Sequence, residues 1–116
     1  ACARLDDAIL TTTHPDLFAT GPQQLALTNL KAQTRMARYG TDCYGYCLLS
    51  AGFVDLVVEP DLKIYDIAPL IPIIERAGGI VTTWDGKPAT NGGNIIAAGD
   101  ARIHEQAMTL IAKAKA

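Results

Sequence analysis

The chain has 116 residues, of which 49% are apolar and 19% are charged, and its formal net charge is −2. This composition can bury a core and excludes a disordered chain, which would combine low hydrophobicity with high net charge. No run of lysine and arginine occurs and no apolar stretch approaches the roughly 20 residues that span a bilayer, so we expect neither nucleic acid nor a membrane as a partner.

The first elements in chain order are a strand and a helix. Residues 7–13 are apolar and then β-branched, which is typical of a strand. A helix is predicted to begin after Thr20, because Thr20 and Gln23 have the spacing of a capping box and Pro22 suits the first turn.

Apolar runs then alternate with helical patterns to the end of the sequence. Further strands are predicted at residues 36–39, 53–59, 80–84 and 94–99, and further helices at residues 43–51, 66–77 and 101–114. The run at residues 53–59 is almost continuously apolar, as in a strand covered on both faces, and Pro60 should end it. Pro72 should kink the helix at residues 66–77, because it removes one backbone donor.

This alternation predicts an α/β fold, a three-layer sandwich in which a mixed, mostly parallel sheet of about five strands carries helices on both faces. Residues 1–116 are expected to form one domain. In such sheets, ligands bind beyond the carboxyl ends of strands and at the N-termini of helices. Two polar segments of this chain are predicted to lie in those positions.

The three cysteines, Cys2, Cys43 and Cys47, are interpreted as reduced, small apolar residues, because an odd number is a poor disulfide framework. Reduced cysteines are typical of the cytoplasm, where we expect the protein to be found. Neither His14 nor His104 is obviously placed to complete a zinc site with the cysteines, and both histidines are expected on the surface.

The first polar segment is Gly40, Thr41 and Asp42, between a predicted strand and a predicted helix. Glycine lets a ligand approach the backbone closely, because it has no side chain. Asp42 has two interpretations, since it could cap its own helix or face a cleft and bind a ligand. The spacing favours the cap but does not separate the two.

The second polar segment contains Glu59, at the end of the apolar strand, and Asp66, at the start of the next helix. Carboxylates at neighbouring strand and helix ends can face one cleft, and oxygen ligands of this kind suit Mg²⁺. The structural alternative makes Asp66 an ordinary N-cap and pairs Glu59 with Lys63. Asp66 alone could not hold a metal, so the other ligands would have to come from elsewhere.

Residues 65–68, Tyr-Asp-Ile-Ala, and residues 73–79, Ile-Ile-Glu-Arg-Ala-Gly-Gly, resemble the second signature of the inositol monophosphatase family, with Tyr65 where most members have tryptophan. The resemblance continues through residues 97–100 and the last helix, and so covers essentially the whole chain. It implies a Mg²⁺-dependent phosphomonoesterase. The implied metal ligand is Asp66, and the implied substrate-binding residues are Gly40, Thr41, Asp42 and Glu59.

Residues 38–44 are similar to the Arg-Tyr-Gly-Gly-Asp-Cys-Tyr run of the family's histidinol-phosphate phosphatases, with Thr41 in place of the second glycine. A second acid beside Glu59 would recognise the ammonium or imidazole of histidinol phosphate, groups that inositol phosphate lacks. The resemblance therefore implies hydrolysis of L-histidinol phosphate to L-histidinol and phosphate, a reaction of histidine biosynthesis. The alternatives are an inositol or sugar-phosphate phosphatase and a non-catalytic binding or assembly module.

The family's first signature, Asp-Pro-Ile/Leu-Asp-Gly-Thr, does not occur in this sequence, and neither does the Gly-Glu-Glu segment that precedes it. In the family, these segments supply most metal ligands and the groups that activate water. We therefore expect a C-terminal α/β domain that carries no catalytic residue of its own, is inactive alone and lacks the N-terminal metal-binding domain. By analogy with relatives, the complete enzyme is expected to be a homodimer.

Overall fold

The computed structural model describes residues 3–40 and 44–115. The strands are β1 (Ile9–Thr11), β2 (Met36–Arg38), β3 (Leu56–Leu62), β4 (Ile80–Thr83) and β5 (Gly93–Ala98). The α-helices are α1 (Gly21–Gln33), α2 (Tyr44–Ser50), α3 (Ile64–Ile67), α4 (Ile71–Arg76) and α5 (Ala101–Lys115). Within the described ranges, none of these helices has both the length and the hydropathy that a membrane span requires.

The five strands form one sheet in the order β2-β1-β3-β5-β4. Strand β1 pairs in parallel with β2 and β3, whereas β5 runs antiparallel to both of its neighbours, β3 and β4. Every strand except β5 therefore points the same way, and the predicted mixed, mostly parallel sheet is confirmed. Helices α1 and α2 make the crossovers between the parallel strands, as parallel pairing requires.

Helices cover both faces of the sheet, so the three-layer architecture is confirmed as well. The first core joins one sheet face to α1 and α5 through Leu10, Leu56, Val58, Ile96, Ala26, Leu27, Leu30, Ile103, Ala107 and Ile111. The second core joins the other face to α2, α3 and α4 through Tyr46, Leu49, Val57, Ile67, Ile74, Ile95 and Ala97. All of these side chains are at most 5% exposed, so burial of apolar area is the main stabilising contribution.

Helix α1 begins at the predicted capping box. The Thr20 hydroxyl accepts from the Gln23 amide at 3.2 Å, and the Gln23 side-chain oxygen accepts from the Thr20 amide at 3.1 Å. Gln23 is itself buried, and its Nε2 donates to Asp61 Oδ2 at 3.1 Å and to Asn94 Oδ1 at 3.0 Å. The same side chain therefore caps α1 and ties it to the ends of β3 and β5.

The prediction that Pro60 ends the apolar strand is wrong. Strand β3 begins later than expected, at Leu56, and continues through Pro60 to Leu62. Its pairing with β5 shifts register between Glu59 and Leu62, and a proline is tolerated at such an irregularity because no ladder bond needs its missing amide. Asp61 has a φ of 52° there, and its amide donates to Asn94 Oδ1 at 3.0 Å.

The helix predicted at residues 66–77 is broken into two. It begins at Ile64 rather than at Asp66, and a 3₁₀ turn at Ala68–Leu70 separates α3 from α4. A proline lies early in each of the last two segments, where the missing amide leaves no intrahelical bond unmade. The predicted kink is thus found as a full interruption, ahead of Pro72.

The prediction that both histidines are on the surface is right for His14 and wrong for His104. His14 is exposed, whereas His104 on α5 is half-buried and its Nε2 lies 2.8 Å from the Thr82 hydroxyl. Because that hydroxyl donates to the Thr83 carbonyl at 2.8 Å, the histidine nitrogen is the donor. Burial lowers the pKa of His104 below its ordinary value of 6.5.

The buried position of His104 predicts a loss of stability in mild acid. Below a pH of about 6.5 the unfolded chain takes up the proton before the folded chain does, so the free energy of unfolding should fall. Urea unfolding between about pH 7.5 and 5.5 measures this slope, and His104→Gln should flatten it. His14 is present in both the parent and the His104→Gln variant, so it contributes equally to both. Identical pH dependences of the free energy of unfolding would show that His104 does not cause the loss of stability.

Candidate functional site

The buried carboxylate of Glu59 is oriented by Thr13. Glu59 is the last residue of β3 before its register with β5 shifts, and it is 2% exposed. Its Oε1 accepts from the Thr13 amide at 3.0 Å and from the Thr13 hydroxyl at 2.7 Å. Because β1 and β3 are parallel neighbours, Thr13 just beyond β1 meets Glu59 at the same edge of the sheet. Two hydrogen bonds to one carboxylate oxygen offset part of the cost of burying its charge.

Gly40 lies beside the same edge. Its amide donates to the Thr13 carbonyl at 2.6 Å, and its φ of 81° belongs to the left-handed region that favours glycine. Thr13 therefore connects the turn after β2 to Glu59, because its carbonyl binds Gly40 while its amide and hydroxyl bind Glu59. The other predicted residues of this turn, Thr41 and Asp42, lie outside the described residues, as do Cys2 and Cys43, so their roles stay predictions.

Asp66 is the third residue of α3 and is exposed. Its Oδ2 accepts from the Lys63 amide at 3.1 Å, while its own amide donates to the Lys63 carbonyl at 2.9 Å. The structural interpretation was therefore partly right, because this carboxylate does satisfy an amide at its own helix start. It does so from inside the first turn, and the N-cap position belongs to Lys63.

Glu59 and Asp66 line one cleft. This cleft has a volume of about 420 Å³ and is lined by Thr13, Leu17, Tyr46, Glu59, Pro60, Leu62, Tyr65 and Asp66. The two carboxylates differ in environment, since Glu59 is buried and Asp66 is exposed to solvent. The cleft lies beyond the carboxyl end of β1 and beside the C-terminal half of β3, on the side of the sheet where ligands of open α/β folds bind.

Tyr46 is a polar group of this cleft that the sequence analysis missed. It is 2% exposed, and its hydroxyl has no hydrogen-bond partner among the described residues. Burial raises the pKa of Tyr46 well above 10.0, and the charges of Glu59 and Asp66 raise it further. A tyrosine in an apolar helix resembles any core aromatic residue in sequence, so only the tertiary position reveals it.

The donor set of this chain fits one contribution to a magnesium site. Asp66 presents an exposed carboxylate to the cleft, which is the type of ligand that Mg²⁺ prefers. Across residues 3–40 and 44–115, no three His, Cys, Asp or Glu side chains lie close enough to hold a metal together. Asp66 is therefore suited to a shared site rather than to a complete one.

A second cavity, of about 300 Å³, lies near the opposite end of β3, between α2, α4 and α5. It also contains two carboxylates, but both have structural partners. Asp55 accepts from the Ile9 amide at 2.8 Å, and Asp100 pairs with Arg102 at 2.8 Å, which lowers the pKa of Asp100 to about 2. Since both of its carboxylates have structural partners, the Glu59–Asp66 cleft is the better candidate.

Gly92 supports the segment that carries Asp66. Its φ is 74°, and a Cβ at this position would collide with the Leu62 carbonyl oxygen and lie 3.0 Å from the Lys63 carbonyl carbon. The loop before β5 can therefore touch the start of α3 only because residue 92 lacks a side chain. Gly93 has a φ of 106° but open space around its Cβ position.

We expect Gly92→Ala to lower the free energy of unfolding by about 2–4 kcal/mol, through strain at positive φ and displacement of the Leu62–Ile64 backbone. Gly93→Ala is the matched control, because it introduces similar backbone strain without the collision. Urea unfolding of the two variants compares them directly. A loss for Gly92→Ala no larger than for Gly93→Ala would show that the contact with α3 is unimportant.

Comparison with known proteins identifies relatives of this chain. The sequence model described as the inositol monophosphatase family matches residues 2–116. The chain is 42% identical over 117 residues to the bifunctional phosphatase IMPL2, chloroplastic, of Arabidopsis thaliana, covering 93% of this chain and 34% of that protein. It is 39% identical over 72 residues to a histidinol-phosphatase of Streptomyces coelicolor, covering 62% of this chain and 26% of that protein.

Solved structures agree with the sequence comparisons. An inositol monophosphatase from Zymomonas mobilis superposes with a TM-score of 0.90 at 42% identity, covering 97% of this chain and 45% of that chain. The chain thus spans less than half the length of each of these relatives.

Proposed function

Because the chain belongs to the inositol monophosphatase family, we propose that it forms the substrate-binding part of a phosphomonoesterase. The observation that carries this proposal is the cleft shared by Glu59 and Asp66, one carboxylate buried and oriented and the other exposed. The relatives described above are phosphatases by name, and the cleft has the position and the acidic groups that such an activity needs.

The different environments of the two carboxylates suggest different roles. Asp66, exposed at a helix start, would serve as one oxygen ligand to Mg²⁺. Bound Mg²⁺ would stabilise the negative charge that develops as the phosphate ester breaks. Glu59, held by Thr13, would bind the organic part of the substrate, and Gly40 and Thr41 would line it.

We place the remaining metal ligands and the groups that activate water outside these 116 residues. Two observations support this division. The described residues contain no cluster of three ligating side chains, and the chain covers 34% of one phosphatase relative and 45% of another. The chain would then be the C-terminal domain of the enzyme, working with an N-terminal metal-binding domain.

The substrate we propose is L-histidinol phosphate, with Asp42 and Glu59 binding its cationic amine. Support comes from the acid at position 42 and from the likeness to a histidinol-phosphatase at 39% identity. Inositol monophosphate is the second candidate, favoured by the superposition on the Zymomonas mobilis inositol monophosphatase at a TM-score of 0.90. The two substrates differ in charge, so acidic residues in the cleft should discriminate between them.

Asp66→Asn in the full-length enzyme should lower kcat by about 100-fold or more, because a neutral amide is a poor Mg²⁺ ligand. The amide oxygen can still accept from the Lys63 amide, so the start of α3 should be preserved. Phosphate release at saturating Mg²⁺ measures the effect. Near-normal turnover would show that Asp66 is not a metal ligand.

Asp61→Asn is the matched control for this experiment. It makes the same chemical change five residues earlier, but Asp61 interacts with Gln23 and does not line the cleft. Asparagine also tolerates the positive φ of residue 61. This control should retain turnover within about threefold of the parent enzyme, a change of less than ~1 kcal/mol.

Asp42→Ala should lower kcat/KM for L-histidinol phosphate by about tenfold to 150-fold, the effect of losing a charge-assisted hydrogen bond worth ~1.5–3 kcal/mol. The same variant should hydrolyse inositol 1-phosphate no worse than the parent, because inositol has no cation to lose. Asp42→Asn separates the loss of charge from the loss of a hydrogen-bond acceptor. An unchanged kcat/KM for histidinol phosphate would reduce Asp42 to a helix cap.

A further inference from the structure

The inference concerns the hydroxyl of Tyr46, and it rests on the proposed phosphomonoesterase function. Tyr46 lies on α2 and packs in the second core with apolar residues that include Leu49, Val57 and Ile67. Buried tyrosine hydroxyls usually find a partner, because an unmade hydrogen bond in the interior is unfavourable. A phenylalanine would fill the same volume without that penalty, so packing alone gives no reason for the hydroxyl.

The surroundings of Tyr46 point to a ligand rather than to an unfavourable core. The residue lines the cleft together with Glu59 and Asp66. A phenol offers one donor and two acceptor sites. A cleft walled by two carboxylates attracts cations, and a cationic amine carries the N–H donors that a phenol oxygen accepts.

We propose that Tyr46 is a specificity-determining residue, whose hydroxyl accepts a hydrogen bond from the cationic amine of the substrate beside Glu59. In the free chain this hydroxyl is buried without a partner among the described residues, in a side chain that lines the cleft, and the bond forms when the substrate enters. Phosphomonoesters without a hydrogen-bond donor on the leaving part gain nothing from it. Tyr46 would therefore act on substrate choice rather than on the chemical step.

The same structure provides an internal comparison. Thr12 is the other described residue with a fully buried hydroxyl that lacks a partner, but it does not line the cleft. Thr12→Val and Tyr46→Phe therefore each remove one buried hydroxyl, and only Tyr46 lines the cleft. Neither change removes a hydrogen bond to another described residue, so we expect both variants to melt at or above the temperature of the parent.

The test is performed on the full-length enzyme with L-histidinol phosphate and p-nitrophenyl phosphate, whose leaving group has no N–H. Tyr46→Phe should lower kcat/KM for L-histidinol phosphate about tenfold, mainly through KM, and change that for p-nitrophenyl phosphate less than about threefold. Thr12→Val should leave both values near those of the parent.

Three outcomes for the Tyr46→Phe variant would overturn the inference. Unchanged kcat/KM for L-histidinol phosphate in Tyr46→Phe would make the hydroxyl a tolerated core defect. An equal loss of kcat/KM with both substrates would show that the hydroxyl acts on the phosphate group, which the two substrates share. A lower melting temperature would show that the hydroxyl has a structural partner. A parent enzyme that hydrolyses only p-nitrophenyl phosphate would instead reject the proposed substrate, and this inference would fall with it.

Discussion

The candidate site depends on the pair of hydrogen bonds from Thr13 to Glu59. A carboxylate that is 2% exposed is stable only with good partners, and Thr13 provides an amide at 3.0 Å and a hydroxyl at 2.7 Å. These bonds can form because β1 and β3 are parallel neighbours in a register that brings Thr13 beside Glu59. The strand order of the sheet thus determines where the negative charge of Glu59 can be buried, and this residue lines the cleft.

The two carboxylates of the cleft are positioned by different kinds of structure. Glu59 is placed by regular strand pairing, whereas Asp66 is placed by an irregular segment that needs several supports. These supports are the register shift after Glu59, the Gln23 side chain that binds Asp61 and Asn94, and Gly92 against the start of α3. Regular elements therefore fix the buried charge, and a side-chain network fixes the exposed one.

The sequence predicted the layers, the five strands and the main helices, because apolar periodicity and the Thr20 capping box are local signals. It misplaced the end of β3 because the register shift that tolerates Pro60 depends on pairing with β5. The resemblance named Glu59 and Asp66, which line one cleft, but no pattern indicated Thr13 or Tyr46. Those two become site residues only when the strands and α2 pack together, and the same holds for the burial of His104.

The bond from the Lys63 amide to Asp66 Oδ2 also has a consequence for ligand binding. An exposed aspartate normally loses rotamer freedom when it captures a ligand, and that ordering weakens affinity. Here the backbone of α3 has already restricted the side chain, so the cation of the proposed magnesium site would meet an oxygen ligand that is already held in place. The affinity of Asp66 for a cation should then depend on an intact start of α3 as much as on the charge of the carboxylate.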